Sequence, residues 1–179
     1  MTRVFVAIEL PELAKEKISK IEKCLLDTDS RINPVNPDYA HITLKFIGDV
    51  EDKQLESIKK SLSLIKYSKY HINLKGLRLN SKKSPRIVWI EGYDNKETTM
   101  LVEIIEDALY PLGIEKENRS YKLHATVARI KRWHNSLMPA IKLFEDEEIC
   151  DFEVCGFKLK KSTLTPKGPV YEDILEVSF

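Results

Sequence analysis

The chain has 179 residues, of which 42% are hydrophobic and 32% are charged, and its formal net charge at pH 7 is +1. This length and apolar content suffice for one domain, or for two small lobes that share a core, without disulfides. The near-neutral charge argues against a protein that coats nucleic acid, and no apolar stretch approaches the ~20 residues of a membrane span.

The cysteines and the N-terminus indicate a cellular compartment. Cys24, Cys150 and Cys155 are odd in number and lack C-x-x-C spacing, which favours reduced thiols in the cytoplasm. The apolar run at 4–8 is short, is followed by Glu9 and has no small-residue cleavage site, so we interpret it as a strand and not as an export signal. We expect a cytoplasmic monomer that makes no contact with a membrane.

The first half of the chain alternates strands with helices. A strand at 4–8 precedes an amphipathic helix at 11–26 with apolar residues at helical spacing. A strand at 41–47 follows a proline-bounded loop, and a second amphipathic helix is predicted at 52–65. Alternating apolar and polar residues then predict a strand at 70–79.

The second half repeats this order. Strands are predicted at 86–90 and 124–130, and a helix follows each of them, at 98–112 and 136–144. A long strand at 152–164 should form a hairpin with a last strand at 170–177 through the turn Pro166-Lys167-Gly168.

An offset of 83 residues aligns the two halves, strand upon strand. The aligned pairs include Val4 with Ile87, Thr43 with Thr126, Leu44 with Val127, Ile47 with Ile130 and Ile72 with Cys155. We therefore predict an α+β fold in one two-lobed domain over 1–179, with approximate repeat halves 3–80 and 85–177. Each half is a strand–helix–strand–helix–strand unit. Two antiparallel sheets should face a central cleft, with the helices outside.

Two matching motifs, His41-Ile42-Thr43-Leu44 and His124-Ala125-Thr126-Val127, carry the chemistry. Residues i and i+2 of a strand project from the same face, so each histidine points with its threonine. If the halves are related by a twofold axis, both faces meet in one cleft. One neutral imidazole can then accept a proton while the other, protonated, donates one, because the unperturbed pKa of histidine is about 6.5. Threonine hydroxyls can donate to phosphate oxygens, and a strained cyclic phosphodiester needs little further electrophilic help.

Two simpler interpretations compete with this one. A zinc site needs three or four ligands, but each histidine has a threonine beside it, and Asp38 is the one nearby carboxylate, so we expect no metal and no cofactor. A single His-x-Thr in a strand is usually an ordinary strand residue, yet two at equivalent repeat positions are hard to attribute to chance. We expect His71 and His134 to be surface or capping residues.

The paired motifs, the duplicated pattern and the segment at 161–171, Lys-Ser-Thr-Leu-Thr-Pro-Lys-Gly-Pro-Val-Tyr, resemble the RNA 2′,3′-cyclic phosphodiesterases. These belong to the two-histidine phosphoesterase superfamily and are also called 2′-5′ RNA ligases. The resemblance runs from Arg3 nearly to the last residue. It implies hydrolysis of a terminal 2′,3′-cyclic phosphate to a 2′-phosphate, with His41 as proton donor and His124 as proton acceptor. It also implies that Thr43 and Thr126 hold the phosphate.

The resemblance further implies substrate contacts from an aromatic at Phe46 and an arginine at Arg129, each five residues past a histidine. An offset of five points away from the histidine face of a straight strand, so a bulge must redirect both side chains. Core packing of Phe46 and a surface ion pair of Arg129 are the alternatives. Leu123 stands where the family often has proline, which affects the local backbone more than the chemistry.

A further basic set could follow an RNA backbone or simply line a solvated strand edge. It consists of Lys158, Lys160, Lys161 and Lys167. The expected substrates are RNA 3′ ends or cyclic nucleotides, with tRNA fragments among the candidates. Two alternatives remain open, namely ATP-independent 2′-5′ ligation by the same site and a non-catalytic module that binds nucleotides or RNA.

Overall fold

The predicted alternation of strands and helices is present along the chain, in a computed structural model that describes residues 1–166 and 168–179. Over these residues the helices are α1 (Glu12–Leu26), α2 (Asp52–Ser63), α3 (Glu97–Leu109) and α4 (Leu137–Leu143). The strands are β1 (Thr2–Glu9), β2 (Arg31–Pro34), β3 (His41–Val50), β4 (Tyr70–Leu79), β5 (Ile87–Tyr93), β6 (His124–Arg132), β7 (Glu148–Val154), β8 (Gly156–Thr165) and β9 (Gly168–Ser178).

Helix α1 illustrates why these segments fold as they do. It begins after Pro11, whose fixed φ of −68° suits a helix start. Its buried apolar residues recur every three or four positions and form one stripe. They are Ala14, Ile18, Ile21 and Leu25. Within the described part of the chain, no helix is long and apolar enough to cross a membrane.

The strands are antiparallel and follow the order β7-β4-β5-β6-β3-β1-β8-β9, with β2 added beside β6. Strands β3 and β6 meet through a single residue pair, Ile42 with Ala125. A four-stranded sheet, β3-β1-β8-β9, and a five-stranded sheet, β7-β4-β5-β6 with β2, therefore form the two lobes, one on each side of this pair. The predicted α+β class with two antiparallel sheets is confirmed, and the sheets are joined at this one point. Helices α2 and α3 contact the β3-β1-β8-β9 side, while α1 and α4 contact the other.

Each lobe takes two strands and a helix from the opposite half of the chain, namely β8, β9 and α3 in one lobe and β2, β4 and α1 in the other. Strand β4 pairs with β5, and β8 pairs with β1. Likewise α1 contacts β6, and α3 contacts β3. The short β4–β5 loop favours direct antiparallel pairing, because strands joined by a short loop usually neighbour each other. The order β4-β5-β6 mirrors β8-β1-β3, which supports the duplication of 3–80 and 85–177 in one domain, and that duplication remains a proposal.

The structure differs from the predicted elements at three places. The predicted strand at 152–164 is two strands, since β7 ends before Cys155 to pair with β4 and β8 continues beside β1. The predicted helix at 98–112 ends at Leu109, and a 3-10 turn at Tyr110–Leu112 follows because Pro111 lacks an N–H. Strand β2 was not predicted. The β8–β9 hairpin is confirmed, with Thr165 opposite Gly168, while Lys167 of its turn lies outside the described residues.

Candidate active site

The two histidines occupy the first positions of the strands that join the lobes. His41 begins β3 and His124 begins β6, and the strands pair at Ile42 and Ala125. Both of these paired side chains are fully buried. Continuing the antiparallel register places His41 opposite Thr126 and Thr43 opposite His124. The side chains of these four residues project from the strand face opposite to that of Ile42 and Ala125. The four residues predicted from the motifs therefore lie together at the junction of the lobes.

The two imidazoles are held in the same way. His41 Nδ1 lies 2.7 Å from the carbonyl oxygen of Tyr39, and His124 Nδ1 lies 2.7 Å from that of Lys122. A carbonyl only accepts hydrogen bonds, so each Nδ1 must carry the proton and donate it. In the neutral ring, Nε2 is then the basic nitrogen left for a ligand. This geometry fixes the tautomer and the orientation of both rings.

Aromatic rings from neighbouring strands flank each histidine. The ring of Phe5 lies 5.0 Å from that of His41, and Tyr171 meets the same imidazole edge-on at 5.5 Å. Trp89 lies 4.4 Å from His124. These rings cover part of each half-buried imidazole and restrict the directions from which a ligand can approach.

Burial is the main reason why the pKa of each histidine lies below its ordinary value. For His41 the positive charges of Lys160, His124 and Arg129 lower the pKa further, while the hydrogen bond to the Tyr39 carbonyl opposes the shift. The pKa of His124 is lowered by burial and by the charge of Lys122, against the bond to the Lys122 carbonyl. An anion placed between the rings would reverse these effects, because it favours the imidazolium.

A bulge in β3 redirects Phe46. Thr43 pairs with Ala7, but Lys45 pairs with Val6, so Leu44 is an extra residue and the alternation shifts. Phe46 then pairs with Phe5, two residues from Ala7 and on the same face. The Phe46 side chain is 66% exposed, so the core-packing alternative is wrong.

An equivalent bulge in β6 redirects Arg129. Trp89 pairs with Thr126 and Val88 with Ala128, which leaves Val127 as the extra residue. Arg129 then pairs with Ile87, on the face of Trp89 and Thr126. Arg129 is exposed, and no carboxylate of the described residues pairs with it, which is contrary to the ion-pair alternative. Its charge reaches both His41 and Tyr171.

The β3 bulge also buries a cation. Lys45 is 3% exposed, and its ammonium donates to the Glu106 carboxylate at 2.6 Å and to the Glu115 carbonyl at 2.7 Å. The same carboxylate oxygen accepts from the Glu117 N–H at 2.8 Å. Helix α3 thus compensates the charge that the bulge turns inward, and Phe46 beside it faces outward.

The basic residues of β8 are already neutralised. Lys158 donates to Glu9 at 2.5 Å and to Asp173 at 2.7 Å, and Lys160 also donates to Asp173. Lys161 lies 3.3 Å from Glu172, and Lys167 is outside the described residues. The described lysines of this set are therefore not free to follow an RNA backbone, and Lys160 acts instead as a nearby charge on His41.

Tyr171 is a site residue that sequence reasoning missed as an individual. Besides His41, its ring contacts Phe5 at 5.0 Å and Tyr39 at 5.4 Å. Burial raises the pKa of its hydroxyl, and the charge of Arg129 opposes this. Its only sequence signal was membership of the C-terminal segment of the resemblance, because it lies far from both motifs along the chain.

The remaining histidines lie at the surface, as expected. His71 contacts Asp151 at 2.9 Å, and His134 contacts the Ser136 hydroxyl at 2.8 Å. In the ranges that the structure describes, no three His, Cys, Asp or Glu side chains are grouped so as to hold a metal ion. The junction presents two imidazoles, two threonine hydroxyls and the guanidinium of Arg129.

Proteins similar in sequence or fold are known for nearly the whole chain. The family described as LigT like Phosphoesterase matches residues 8–89 and 94–171. An RNA 2′,3′-cyclic phosphodiesterase of Archaeoglobus fulgidus is 34% identical over 96% of this chain and 97% of that protein. One from Methanocaldococcus jannaschii is 36% identical over 97% and 99% of the two chains. E. coli LigT, in a crystal structure with 3′-AMP, shares the fold with a TM-score of 0.84 at 20% identity, over 99% and 98% of the chains.

Proposed function

The chain belongs to the LigT-like phosphoesterase family, and we propose that it hydrolyses the 2′,3′-cyclic phosphate at the 3′ end of RNA to a 2′-phosphate. The names of its relatives support this phosphodiesterase activity. The observation that carries the proposal is the pair of imidazoles at the lobe junction, each with Nδ1 bound to a backbone carbonyl and Nε2 available. A site that only bound nucleotides would not need two titrating groups with the same fixed tautomer.

In the proposed reaction, His124 Nε2 accepts a proton from a water molecule whose oxygen attacks phosphorus. The P–O3′ bond breaks, and His41 Nε2 donates its proton to the departing O3′. One water is consumed, and the product carries a 2′-phosphate and a 3′-hydroxyl. Proton exchange with solvent restores the starting protonation of both rings. The assignment of donor and acceptor follows the family resemblance.

The phosphate would lie between the two His-x-Thr motifs. Thr43 and Thr126 each face the histidine of the opposite strand, so their hydroxyls can donate to the non-bridging oxygens. Arg129, exposed and without a carboxylate partner among the described residues, adds a charge-assisted contact. These groups stabilise the developing charge at phosphorus, so the proposal requires no metal.

Phe46 is placed to stack on the base of the terminal nucleotide. Its exposed ring lies 6.2 Å from Phe5, which in turn contacts His41. A base held there would sit over one lobe while its phosphate reaches the junction. Stacking depends little on base identity, so we expect all four terminal nucleotides to be accepted.

The setting of the reaction is part of the proposal. Cys24, Cys150 and Cys155 are all free thiols, which suits a reducing cytoplasm. The proposed partners are RNA 3′ ends, with tRNA fragments among them, and cyclic nucleotides. We propose that a monomer is active, because both histidines come from one chain.

The decisive experiment incubates the protein with a short RNA that ends in a 2′,3′-cyclic phosphate and follows the product by phosphorus NMR. A 2′-monoester is expected, and a chelator should not change the rate. A 3′-monoester would contradict the donor assignment. Binding without any opening of the ring would indicate a non-catalytic module, and a 2′-5′ linkage formed with an added 5′-hydroxyl RNA would indicate ligation.

A further inference from the structure

A basic cavity lies at the far end of β6, away from the histidines. It has a volume of about 420 Å³ and is lined by Lys82, Lys83, Arg86, Lys131 and Trp133, together with small and apolar residues. We call it the distal basic cavity. Of the residues that the structure describes, none that lines it is acidic. In a protein of net charge +1, four cations around one cavity form a local concentration of positive charge.

These cations are not neutralised as others in the protein are. Among the described residues, no carboxylate forms an ion pair with any of the four. Three lysines of the opposite lobe differ in this respect, since Lys158 and Lys160 share Asp173 and Lys45 binds Glu106. A cluster of unpaired cations repels itself, and an anionic ligand relieves that repulsion.

The loop that carries the cavity is held in place. The Asn80 carboxamide oxygen accepts the backbone N–H groups of Arg86 and Ile87 at 2.9 and 3.0 Å. The Ile130 N–H donates to the Arg86 carbonyl at 2.8 Å, which ties the loop to β6. The backbone that carries Arg86 is therefore held beside β6 before a ligand arrives, which lowers the entropic cost of binding.

Strand β6 runs from the active site to the cavity and carries Arg129 between them. Arg129 pairs with Ile87 and precedes Ile130, which lines the cavity. At roughly 3.3 Å per strand residue, the cavity begins about 20 Å along β6 from His124. A chain of phosphates could thus pass from the junction, over Arg129, to Lys131 and the loop lysines.

The equivalent end of the other lobe lacks this charge. Under the 83-residue offset, Asp49 of β3 corresponds to Arg132 of β6. There Arg3 and Asp49 form an ion pair at 2.7 Å, so that strand end is neutral. The path for phosphates therefore runs over one lobe only, the lobe that supplies Arg129.

We propose that the distal basic cavity binds the phosphodiester backbone of the RNA strand that leads to the cyclic end. An oligonucleotide substrate then gains contacts that a free cyclic nucleotide lacks, and its strand leaves the junction along β6. Trp133, whose indole N–H is bound to Asn135 at 3.1 Å, offers a fixed ring on which a base of this strand can stack. This inference rests on the proposed function of the junction.

The test compares two triple variants on two substrates. The cavity variant reverses the charge of three lysines that line the cavity, Lys82→Glu/Lys83→Glu/Lys131→Glu. The control variant makes the same charge change at exposed lysines on or just after α2, Lys53→Glu/Lys60→Glu/Lys66→Glu. The substrates are a ten-nucleotide RNA with a 2′,3′-cyclic end and 2′,3′-cyclic AMP. The cavity variant should lose at least tenfold in kcat/KM on the RNA and stay within twofold of wild type on cyclic AMP. The control variant should stay within twofold on both.

Salt dependence and direct binding complete the test. On single-stranded nucleic acid each phosphate contact contributes roughly 0.7 to the slope of log affinity against log salt. Reversing three phosphate-binding lysines should therefore reduce this slope by about 2. Fluorescence anisotropy with a 3′-hydroxyl decamer should show at least a tenfold loss of affinity in the cavity variant alone. Equal losses on RNA and cyclic AMP, or equal losses in the control, overturn the inference. If wild type opens neither substrate, the proposed function fails, and the anisotropy result still decides whether the cavity binds RNA.

Discussion

Removing the Glu106 carboxylate should destabilise the protein more than any surface ion-pair change. The Glu106→Ala variant leaves the Lys45 ammonium in a site where its side chain is 2% exposed. Breaking one partner of a buried pair costs about 3–5 kcal/mol, and the retained bond to the Glu115 carbonyl favours the lower end, about 3 kcal/mol. The lost acceptor for the Glu117 N–H adds to this cost.

A double variant tests whether the loss of stability comes from the unpaired charge of Lys45. Lys45→Met/Glu106→Leu removes both charges and should recover stability to within about 1 kcal/mol of wild type, because a buried pair can be replaced by apolar groups of similar volume. Urea unfolding with an unchanged m-value measures each difference. Asp107→Ala, which removes the exposed partner of Lys116 on α3, is the control and should leave the midpoint near wild type.

Stability and activity should respond differently in these variants. The bulge that turns Phe46 outward is a property of the β1–β3 register, so the double variant should retain most of its kcat/KM on cyclic-phosphate RNA. A cost below about 1 kcal/mol for Glu106→Ala would refute the idea that the buried charge needs its partner. A double variant as unstable as the single one would do the same.

Three further predictions concern the histidines, Tyr171 and Glu22. Replacing His41 or His124 by alanine should lower turnover by about 10²–10⁴. Because burial lowers the pKa of both histidines, the bell-shaped pH profile of kcat/KM should peak below pH 6.5, the ordinary histidine value. A wild-type rate in either variant, or a peak above pH 7, would count against the pair. Tyr171→Phe should reduce kcat/KM by about fivefold, the equivalent of one hydrogen bond, with an unchanged urea midpoint; an unaffected rate would restrict the tyrosine to packing. Burial raises the pKa of Glu22 from 4.5 to about 7, so the stability that its protonated form contributes is full below about pH 4.5 and is lost as the pH rises to about 7. Glu22→Gln should therefore add about 1–3 kcal/mol to the free energy of unfolding at pH 8 but little at pH 4, and an equal effect at both pH values would exclude titration as the cause.

The His-x-Thr motifs could be recognised from the sequence because their information is local. Alternation in a strand places His41 with Thr43 and His124 with Thr126, and the buried Ile42 and Ala125 confirm that alternation up to this point. The offset between the halves then predicted that the motifs would meet. No long-range contact had to be known to reach that expectation.

Beyond Thr43, strict alternation predicts the wrong face of the strand for the side chains of Lys45 and Phe46. In a straight strand Lys45 would join His41 in the cleft and Phe46 would enter the core, which also looks sensible by hydrophobicity. The bulge at Leu44 exchanges the two, and the buried lysine is tolerated only because Glu106 reaches it from α3. The sequence signal for this was indirect, since it lay in the family positions of Phe46 and Arg129 and not in any periodicity.

For a related reason, the sequence did not predict which strands are exchanged between the lobes or which aromatic rings surround the histidines. Pairing of β5 with β6 brings Trp89 to His124, and pairing of β1 with β3 brings Phe5 to His41. The β8–β9 hairpin, which lies beside β1, brings Tyr171 to His41 from the end of the chain. Periodicity specifies which face of a strand is buried but not which strand lies beside it. The division of 152–164 into two strands has the same origin, because the two parts pair in different lobes.

The two imidazoles have nearly identical backbone partners, so the local hydrogen bonds cannot decide which one is the acid. The surrounding charges do distinguish them, since Lys160 and Arg129 act on His41, whereas Lys122 acts on His124. In the free protein these cations oppose the protonated His41 that the donor role requires. A cyclic phosphate carries a negative charge into the same place, offsets the cations and raises the pKa of His41. Binding of the substrate would therefore prepare the acid, and the pH profile of kcat should lie above that of kcat/KM because the proton on His41 is held most firmly when the phosphate is present.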